Sequence, residues 1–197
     1  GQTPVLDAAA ELDIPTFTAS NKQELDTLFK TKPVASRLAV LIDFGIIVSK
    51  QIIDYFPLGI INSHFSVLPD LKGADPITFA ILSGQDKTGV SLMMLVEAMD
   101  EGPLIGYGEF DLANNITEPE LTQELIFLSD ALLTHELPHV LSGKARGAPQ
   151  SITKRTPSLS RRLTKVDGKL DWSKPAAQLE REIRAFISWP TSRTLLG

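Results

Sequence analysis

The sequence predicts an α/β fold in which an open, mostly parallel sheet carries helices on both faces. Two short apolar runs, residues 38–42 and 59–62, lack the alternation of a half-exposed strand, which is typical of strands buried on both faces. Stretches with helical spacing of apolar residues lie between such runs. The chain has 197 residues, of which 43% are hydrophobic, and a chain of this size can bury a substantial core.

The first part of the chain contains signals for three helices and two strands. Ser20 and Gln23 have the spacing of a capping box at the start of one helix, and Pro57 marks the end of another. In chain order we predict helices at residues 5–12 and 22–29, a strand at 38–42, a helix at 49–56 and a strand at 59–62.

The second part contains the longest predicted helix. Thr117 and Glu120 have capping-box spacing at its start, and Pro119 is tolerated in its first turn. Residues 142–157 are rich in Gly, Pro, Ser and Lys and predict a linker. In chain order we predict a helix at residues 75–83, strands at 90–96 and 104–110, a helix from 117 to about 141 and a helix from about 173 to 186.

Charge divides the chain into an acidic and a basic part. Residues 1–143 hold 7 Lys/Arg and 20 Asp/Glu, whereas residues 144–197 hold 12 and 4. The basic part is compatible with contacts to a phosphate backbone, and equally with a solvated linker or a strip that faces the acidic part. We expect one domain over residues 1–141, followed by a basic linker and a final helix over residues 142–197.

The composition excludes several classes of protein. The absence of cysteine excludes a disulfide scaffold, a thiol nucleophile and a cysteine-based metal site. No apolar run approaches the ~18–20 residues of a membrane span, and no signal-peptide pattern opens the sequence. Neither a Gly-x-Gly-x-x-Gly motif nor a P-loop is present to hold a nucleotide cofactor. We therefore expect a cytoplasmic protein with no membrane partner.

Polar side chains follow the buried strand at residues 59–62. Asn62 and His64 are two residues apart, so in extended backbone they point to the same side. An amide can donate hydrogen bonds to a developing oxyanion, and an imidazole exchanges protons near neutral pH. The alternative is a strand end whose polar groups bond only to backbone, and the pair alone does not decide between these interpretations.

Asp100 lies beyond a neighbouring predicted strand, in a turn with Gly102 and Pro103. Such a turn is ordinary local chemistry, but a carboxylate at this place could also orient His64. His135 and His139 are four residues apart on the long helix, a spacing that can bind a metal ion. They lack an obvious third ligand, so we predict surface or packed histidines and no metal site.

Taken together, four segments resemble the folate-dependent formyltransferase family in their order and spacing. They are residues 62–69 (Asn-Ser-His-Phe-Ser-Val-Leu-Pro), 72–77 (Lys-Gly-Ala-Asp-Pro-Ile), 88–90 (Thr-Gly-Val) and 99–103 (Met-Asp-Glu-Gly-Pro). Residues 43–48 resemble the family's pterin-binding loop. Residues 170–173 and 176–186, together with Trp189 and Pro190, resemble the end of the catalytic domain in the branch that formylates methionyl-tRNA.

The resemblance implies a Rossmann-like formyltransferase sheet and a formyl transfer. The donor would be 10-formyltetrahydrofolate, and the acceptor would be the amino group of initiator methionyl-tRNA. By similarity, Asn62 and His64 stabilise the oxyanion of the tetrahedral intermediate. Asp100 orients His64 and helps to remove the proton of the attacking amine. This chemistry needs neither a thiol nor a metal.

The resemblance also assigns two sets of binding residues. The apolar residues 46–48 are equally compatible with core packing, and both interpretations can hold. The expected folate-binding residues are Phe44, Gly45, Ile46, Ile47, Val48, Glu97, Ala98 and Met99. The expected acceptor-binding residues are Ser66, Leu68, Pro69, Lys72 and Gly73.

One departure leaves the acceptor open. Asp70 and Leu71 stand where the tRNA-formylating branch has basic or aromatic residues. Three alternatives therefore remain: an amino-sugar nucleotide or glycinamide ribonucleotide as acceptor, hydrolysis of the donor by water, and folate or tRNA binding without turnover. The segment that resembles the end of the catalytic domain favours methionyl-tRNA.

The two ends of the sequence lead to an expectation about the extent of the chain. The chain begins at Gly1 instead of Met and stops at Gly197 within a periodic pattern. Because the family has a βα unit before this point and a C-terminal β-barrel after it, we expect a chain that is cut at both ends. We expect this chain to be monomeric, and inactive or unstable on its own because of an exposed sheet edge.

Overall fold

A computed structural model describes residues 3–145 and 147–195. The expected cut ends, Gly1 and Gly197, lie outside these residues. The helices are α1 (Pro4–Glu11), α2 (Lys22–Thr31), α3 (Lys50–Ile53), α4 (Pro76–Ser83), α5 (Glu118–Leu141) and α6 (Ala176–Ala185). The strands are β1 (Ala39–Ile42), β2 (Ile60–His64), β3 (Lys72–Gly73), β4 (Lys87–Met94), β5 (Leu104–Asp111) and β6 (Leu159–Ser160). Two 3₁₀ turns cover Gln150–Thr153 and Lys165–Gly168.

The α/β class is confirmed, and the main sheet has the strand order β1-β2-β4-β5. The parallel direction expected for most of this sheet holds for β1 and β2, whereas β4 is antiparallel to both β2 and β5. A short connection joins β4 to β5, and such a connection brings the next strand back antiparallel. A buried apolar run indicates burial of a strand but carries no information about its direction.

Strand β4 begins earlier than the predicted residues 90–96. Its first residues, Lys87 and Thr88, pair with Asp111 and Phe110 of β5. These two polar residues do not belong to an apolar run, so hydrophobicity alone does not reveal that they extend the strand. Helix α5 packs against β4 and β5 and buries Leu121 and Leu125 completely.

The two helix starts with capping signals have different outcomes. The predicted capping box at Ser20 and Gln23 is wrong by one residue, because the side chain of Asn21 accepts from Glu24 N at 3.0 Å. The carboxylate of Glu24 then accepts from Ser20 N at 2.7 Å. At the start of α5 the predicted box is confirmed, since Thr117 N donates to Glu120 Oε2 at 2.9 Å.

The segment predicted as a linker packs back onto the main sheet's domain. The backbone of Ala148 forms two hydrogen bonds with Leu104, the first residue of β5. Strand β6 follows this segment and pairs in parallel with β3, with Lys72 opposite Leu159. The linker also contacts the loop that follows β2, where Thr153 Oγ1 donates to Leu68 O at 2.8 Å, and the loop that follows β4, where Gln150 Nε2 donates to Asp100 O at 2.7 Å. Over the described residues, no helix has the length and apolarity needed to cross a membrane.

Candidate active site

The site is built on the last residues of β2. Asn62 and His64 lie on one face of this strand, and His64 is buried. Ser63 lies on the opposite face, where its hydroxyl is 2.7 Å from that of Ser129 on α5. This buried hydroxyl pair fixes the strand against α5 and directs Asn62 and His64 to the other side.

The imidazole of His64 is held by the loop that follows it. Its Nε2 lies 3.0 Å from the carbonyl oxygen of Leu71. A carbonyl oxygen can only accept, so Nε2 carries the proton in both charge states of the ring. Nδ1, the nitrogen that can gain or lose a proton, lies 3.9 Å from Asp100 Oδ2.

Asp100 is brought to His64 by the loop between β4 and β5. Its backbone is left-handed, with φ of 54°, and only 9% of the residue is exposed. Asp100 Oδ2 accepts a hydrogen bond from Gly73 N at 2.7 Å. The structure therefore brings the three expected catalytic residues, Asn62, His64 and Asp100, to one place.

Three of the expected acceptor-binding residues are buried. Ser66, Leu68 and Pro69 lie in the interior. The hydroxyl of Ser91 donates to Ser66 O at 2.8 Å and accepts from Leu68 N at 2.9 Å. This part of the loop is a support for His64, and its side chains are not at the surface where a ligand would arrive.

The other two expected acceptor-binding residues border the site. Gly73 supplies the N–H that binds Asp100, and its φ of 109° lies in the region that favours glycine. Lys72 Nζ binds Glu101 Oε1 at 2.6 Å, and its side chain is only 11% exposed. Both residues connect the loop after β2 to the loop after β4.

The expected folate-binding residues divide into packed and exposed members. Ile46 and Val48 pack in one core cluster with Leu95, which brings the loop after β1 next to the loop after β4. Exposed side chains lie on both loops: Phe44, Ile47, Glu97, Ala98 and Met99, with Gly45 beside them. The two interpretations of residues 46–48 thus both apply, since Ile46 and Val48 are packed and Ile47 is exposed.

A further carboxylate follows Gly73 by two residues in the chain. Burial raises the pKa of Asp75 above its usual range, although a hydrogen bond from the Thr78 hydroxyl at 2.9 Å acts in the opposite direction. The negative charges of Glu118 and Asp43 add to the increase in pKa. The sequence contained no signal for this environment beyond the position of Asp75 before α4.

The two histidines of α5 lie away from these groups. The rings of His135 and His139 are 5.5 Å apart, and both residues are exposed. Nδ1 of His135 is 3.0 Å from Glu136 Oε1. No group of three or more potential metal ligands occurs among the residues that the structure describes.

The sequence interpretation missed two residues that hold the site, Gln150 in the predicted linker and Ser158 directly after it. Gln150 Nε2 donates to Asp100 O at 2.7 Å and to Gly102 O at 3.0 Å. Ser158 Oγ accepts from Leu71 N at 2.8 Å. These contacts span 50 and 87 residues of sequence, so no local periodicity could have indicated them.

The geometry supports acyl-transfer chemistry. Asn62 offers amide donors beside an imidazole whose free nitrogen faces a carboxylate. Donors of this kind stabilise an oxyanion, and an imidazole next to a carboxylate can hold or pass on a proton. Nothing in this arrangement requires a metal ion.

Two family models match the chain. The model described as "Formyl transferase" matches residues 2–137, and the model described as "Formyl transferase, C-terminal domain" matches residues 162–197. The first match includes all three residues of the candidate site. The second begins beyond β6 and includes α6.

Curated relatives match almost the whole chain. Methionyl-tRNA formyltransferase from Chloroflexus aggregans is 32% identical over 191 residues, which is 97% of this chain and 61% of the relative. The enzyme of the same name from Bacillus licheniformis is 33% identical over 196 residues, covering 98% of this chain and 61% of the relative. The chain therefore spans about three fifths of the length of these relatives.

Solved structures share the fold at lower sequence identity. The N-formyltransferase from Helicobacter canadensis, in complex with folinic acid and dTDP-3-aminofucose, has a TM-score of 0.74 at 22% identity, covering 93% of this chain and 64% of that one. HypX from Aquifex aeolicus, in complex with tetrahydrofolic acid, has a TM-score of 0.69 at 16% identity, covering 80% and 27%. This chain therefore shares the Rossmann-like α/β architecture of both solved structures.

Proposed function

Because this chain belongs to the formyl transferase family, we propose that it transfers a formyl group from 10-formyltetrahydrofolate to the amino group of methionyl initiator tRNA. The observation that carries the proposal is the convergence of Asn62, His64 and Asp100 at the end of β2. The acceptor is inferred from the curated relatives, which are methionyl-tRNA formyltransferases.

The reaction passes through an intermediate with one negative charge and moves one proton from the acceptor nitrogen to N10 of the folate. The acceptor nitrogen attacks the formyl carbon, a C–N bond forms, and the carbonyl electron pair moves to oxygen. The amide of Asn62 and a proton on His64 Nδ1 stabilise that oxygen. The tetrahedral intermediate then collapses, breaks the bond to N10 of the folate and returns a proton to that nitrogen. Oxyanion donors contribute roughly 3–4 kcal/mol each in measured enzymes.

Asp100 is placed to help remove the proton of the attacking amine. Its carboxylate lies on the Nδ1 side of His64 at 3.9 Å. The carboxylate helps to take up the proton that the attacking amine loses, and this proton then passes to N10 of the folate. Because Gly73 N binds Oδ2 at 2.7 Å, the orientation of the carboxylate is set before substrate arrives.

The folate would bind between the loops after β1 and β4. Phe44, Ile47 and Met99 offer exposed apolar surface there, with 41%, 79% and 69% of each residue accessible. A flat pterin ring is covered well by such side chains, and the backbone groups of the two loops offer hydrogen bonds. Leu95 joins the loops through the same core cluster as Ile46 and Val48.

The tRNA would be attracted by the basic part of the chain. Arg162, Lys165 and Lys169 are exposed on the segment after β6. Lysine and arginine contacts to phosphates release counterions, so binding of RNA through them weakens as salt increases. We expect this dependence for tRNA and a much smaller one for the folate.

The test is a formyl-transfer assay of the complete open reading frame that contains this chain, with 10-formyltetrahydrofolate and several acceptors in parallel. These are charged initiator tRNA, an amino-sugar nucleotide, glycinamide ribonucleotide and water alone. Formylation of the tRNA supports the proposal. Preferential formylation of another acceptor, hydrolysis of the donor, or folate binding without turnover would each replace it with the corresponding alternative.

A further inference from the structure

We propose that Ser158 is a positioning residue for His64, and that it acts through the backbone of Leu71. The inference rests on the proposed function, in which His64 is catalytic. Ser158 belongs to the basic segment after the predicted linker, and it lies 87 residues from Leu71 in sequence. Its hydroxyl binds the N–H of Leu71 and so helps to hold the conformation in which the Leu71 carbonyl faces His64 Nε2.

Leu71 has a conformation that needs support. Its φ is 51°, in the left-handed region that a leucine rarely adopts. Its N–H donates to Ser158 Oγ at 2.8 Å, and its carbonyl oxygen lies 3.0 Å from His64 Nε2. One peptide turn therefore joins the serine hydroxyl on one side to the imidazole on the other.

The serine hydroxyl is itself oriented by a charge. Ser158 Oγ donates to Asp70 Oδ1 while it accepts from Leu71 N. A hydroxyl that donates to a carboxylate becomes a better acceptor, because linked hydrogen bonds polarise one another. The backbone oxygen of Asp70 accepts from Ser66 Oγ at 2.5 Å, so this residue is held at both its side chain and its carbonyl.

The main chain of Ser158 supports the same loop independently. Ser158 N donates to Pro69 O at 3.3 Å, and Lys72 N donates to Ser158 O at 2.9 Å. Replacement by alanine leaves both of these bonds possible. The substitution Ser158→Ala therefore removes the hydroxyl while the pairing of the two segments remains.

Loss of the Ser158 hydroxyl affects the orientation of the His64 ring. Leu71 is 5% exposed and His64 is 6% exposed, so water does not readily replace the bond between them. While this bond is present, the proton stays on Nε2 and Nδ1 faces Asp100. When Leu71 leaves its left-handed conformation, its carbonyl turns away and the ring loses its fixed orientation.

This geometry gives a role to Asp70 and Leu71, the two residues that differ from the tRNA-formylating branch. Asp70 provides the acceptor for Ser158, and Leu71 provides the carbonyl for His64. The side chain of Leu71 packs in the core cluster that contains Val90 and Leu163. In this chain the two residues thus position the catalytic imidazole from within the loop.

The experiment measures the His64 imidazole directly. His135→Gln and His139→Gln are introduced so that, of the 3 histidines, His64 is the single one left. In ¹⁵N-labelled protein a buried, hydrogen-bonded Nε2 proton exchanges slowly with water and gives a visible cross-peak. Steady-state kinetics with 10-formyltetrahydrofolate and the preferred acceptor accompany the spectra.

Three variants are compared in this background. In Ser158→Ala we expect loss of the Nε2 cross-peak and a decrease in kcat of about tenfold, the effect of one misplaced hydrogen bond. The KM for the donor should change less than twofold. Ser158→Thr, which keeps the hydroxyl, should restore the cross-peak and kcat. Ser151→Ala, at an exposed serine nearby, is the matched control and should behave like the parent.

The outcomes separate this inference from the proposed function. A cross-peak that survives unchanged in Ser158→Ala overturns the positioning role. If Ser158→Ala does not fold, Asp70→Ala replaces it, because it removes the acceptor of the hydroxyl and leaves Ser158 in place. If the full-length parent formylates none of the acceptors, the proposed function fails, while the spectra still decide whether Ser158 holds the ring.

Discussion

The side-chain amide of Gln150 donates a hydrogen bond to the backbone carbonyl of Asp100 at 2.7 Å and a second one to Gly102 O at 3.0 Å. Both donor positions of one amide nitrogen thus bind the loop that carries the carboxylate. Asp100 has a left-handed backbone, a conformation that costs about 1–3 kcal/mol in a residue other than glycine. Gln150 is therefore placed to stabilise this turn.

We predict that Gln150→Glu destabilises the protein by about 1–3 kcal/mol. The change keeps the size of the side chain but removes both donors and places a carboxylate against two carbonyl oxygens. Urea unfolding measures the difference. Gln123→Glu, at an exposed position of α5, is the matched control and should change stability by less than about 0.5 kcal/mol. Equal effects of the two variants would contradict this assignment.

Gly73→Ala is expected to be strongly destabilising. A Cβ at this position would lie 2.1 Å from the backbone oxygen of Ser160, and the φ of Gly73 is 109°. Relief of this overlap requires separation of β3 from β6, and it also displaces the N–H that binds Asp100. We expect a loss of about 2–4 kcal/mol in the free energy of unfolding.

The control for this substitution is Gly45→Ala. A Cβ there would have no heavy atom within 4 Å, so we expect a change of less than about 0.5 kcal/mol. Thermal or urea unfolding of both variants and the parent measures these changes in the free energy of unfolding. A fully stable Gly73→Ala protein would show that the close contact between β3 and β6 is not present in solution.

Made in the full-length protein, Asn62→Ala and His64→Ala should each decrease kcat roughly 10²-fold or more, the size of effect seen when an oxyanion donor is removed. Asn62 is half-buried, and its side chain forms no hydrogen bond with the residues that the structure describes. Its replacement should therefore leave the free energy of unfolding nearly unchanged. His64→Ala should also reduce stability, because it leaves Leu71 O without its partner. Near-normal turnover in both variants would remove these residues from the catalytic site.

The central pair of the site was predictable because it rests on local geometry. Asn62 and His64 share a face through the two-residue period of a strand, and that period is visible in the sequence. Asp100 required the family resemblance as well, since a turn with Gly102 and Pro103 has many ordinary explanations. The structure then places its carboxylate 3.9 Å from the ring.

What could not be predicted depends on contacts between distant segments. Periodicity does not determine the antiparallel direction of β4, nor does it show that Ser66 and Leu68 are buried beneath Ser91. The support from Gln150 comes from a segment whose composition indicated only a linker, and the support from Ser158 comes from the residue directly after that segment. Side chains in such a segment acquire a role when the chain folds back, and composition does not report on that.

The pH dependence of stability should depend in part on Asp167. Hydrogen bonds from Arg161 hold the pKa of its carboxyl well below the usual range, and Thr164 N adds a bond of 2.7 Å. This stabilisation is complete above about pH 4, the pKa of an aspartate in the unfolded chain. Below that pH the unfolded chain binds the proton first, so the free energy of unfolding falls.

We therefore expect Asp167→Asn to be less stable than the parent at pH 7 and to lose less stability between about pH 4 and pH 2, because it has no carboxyl to protonate. Arg161→Gln removes the group that lowers the pKa most and should flatten the same part of the curve. Urea unfolding at a series of pH values measures both. Parallel curves for the parent and Asp167→Asn over this range would show that the Arg161 interaction does not stabilise the folded protein through this carboxylate.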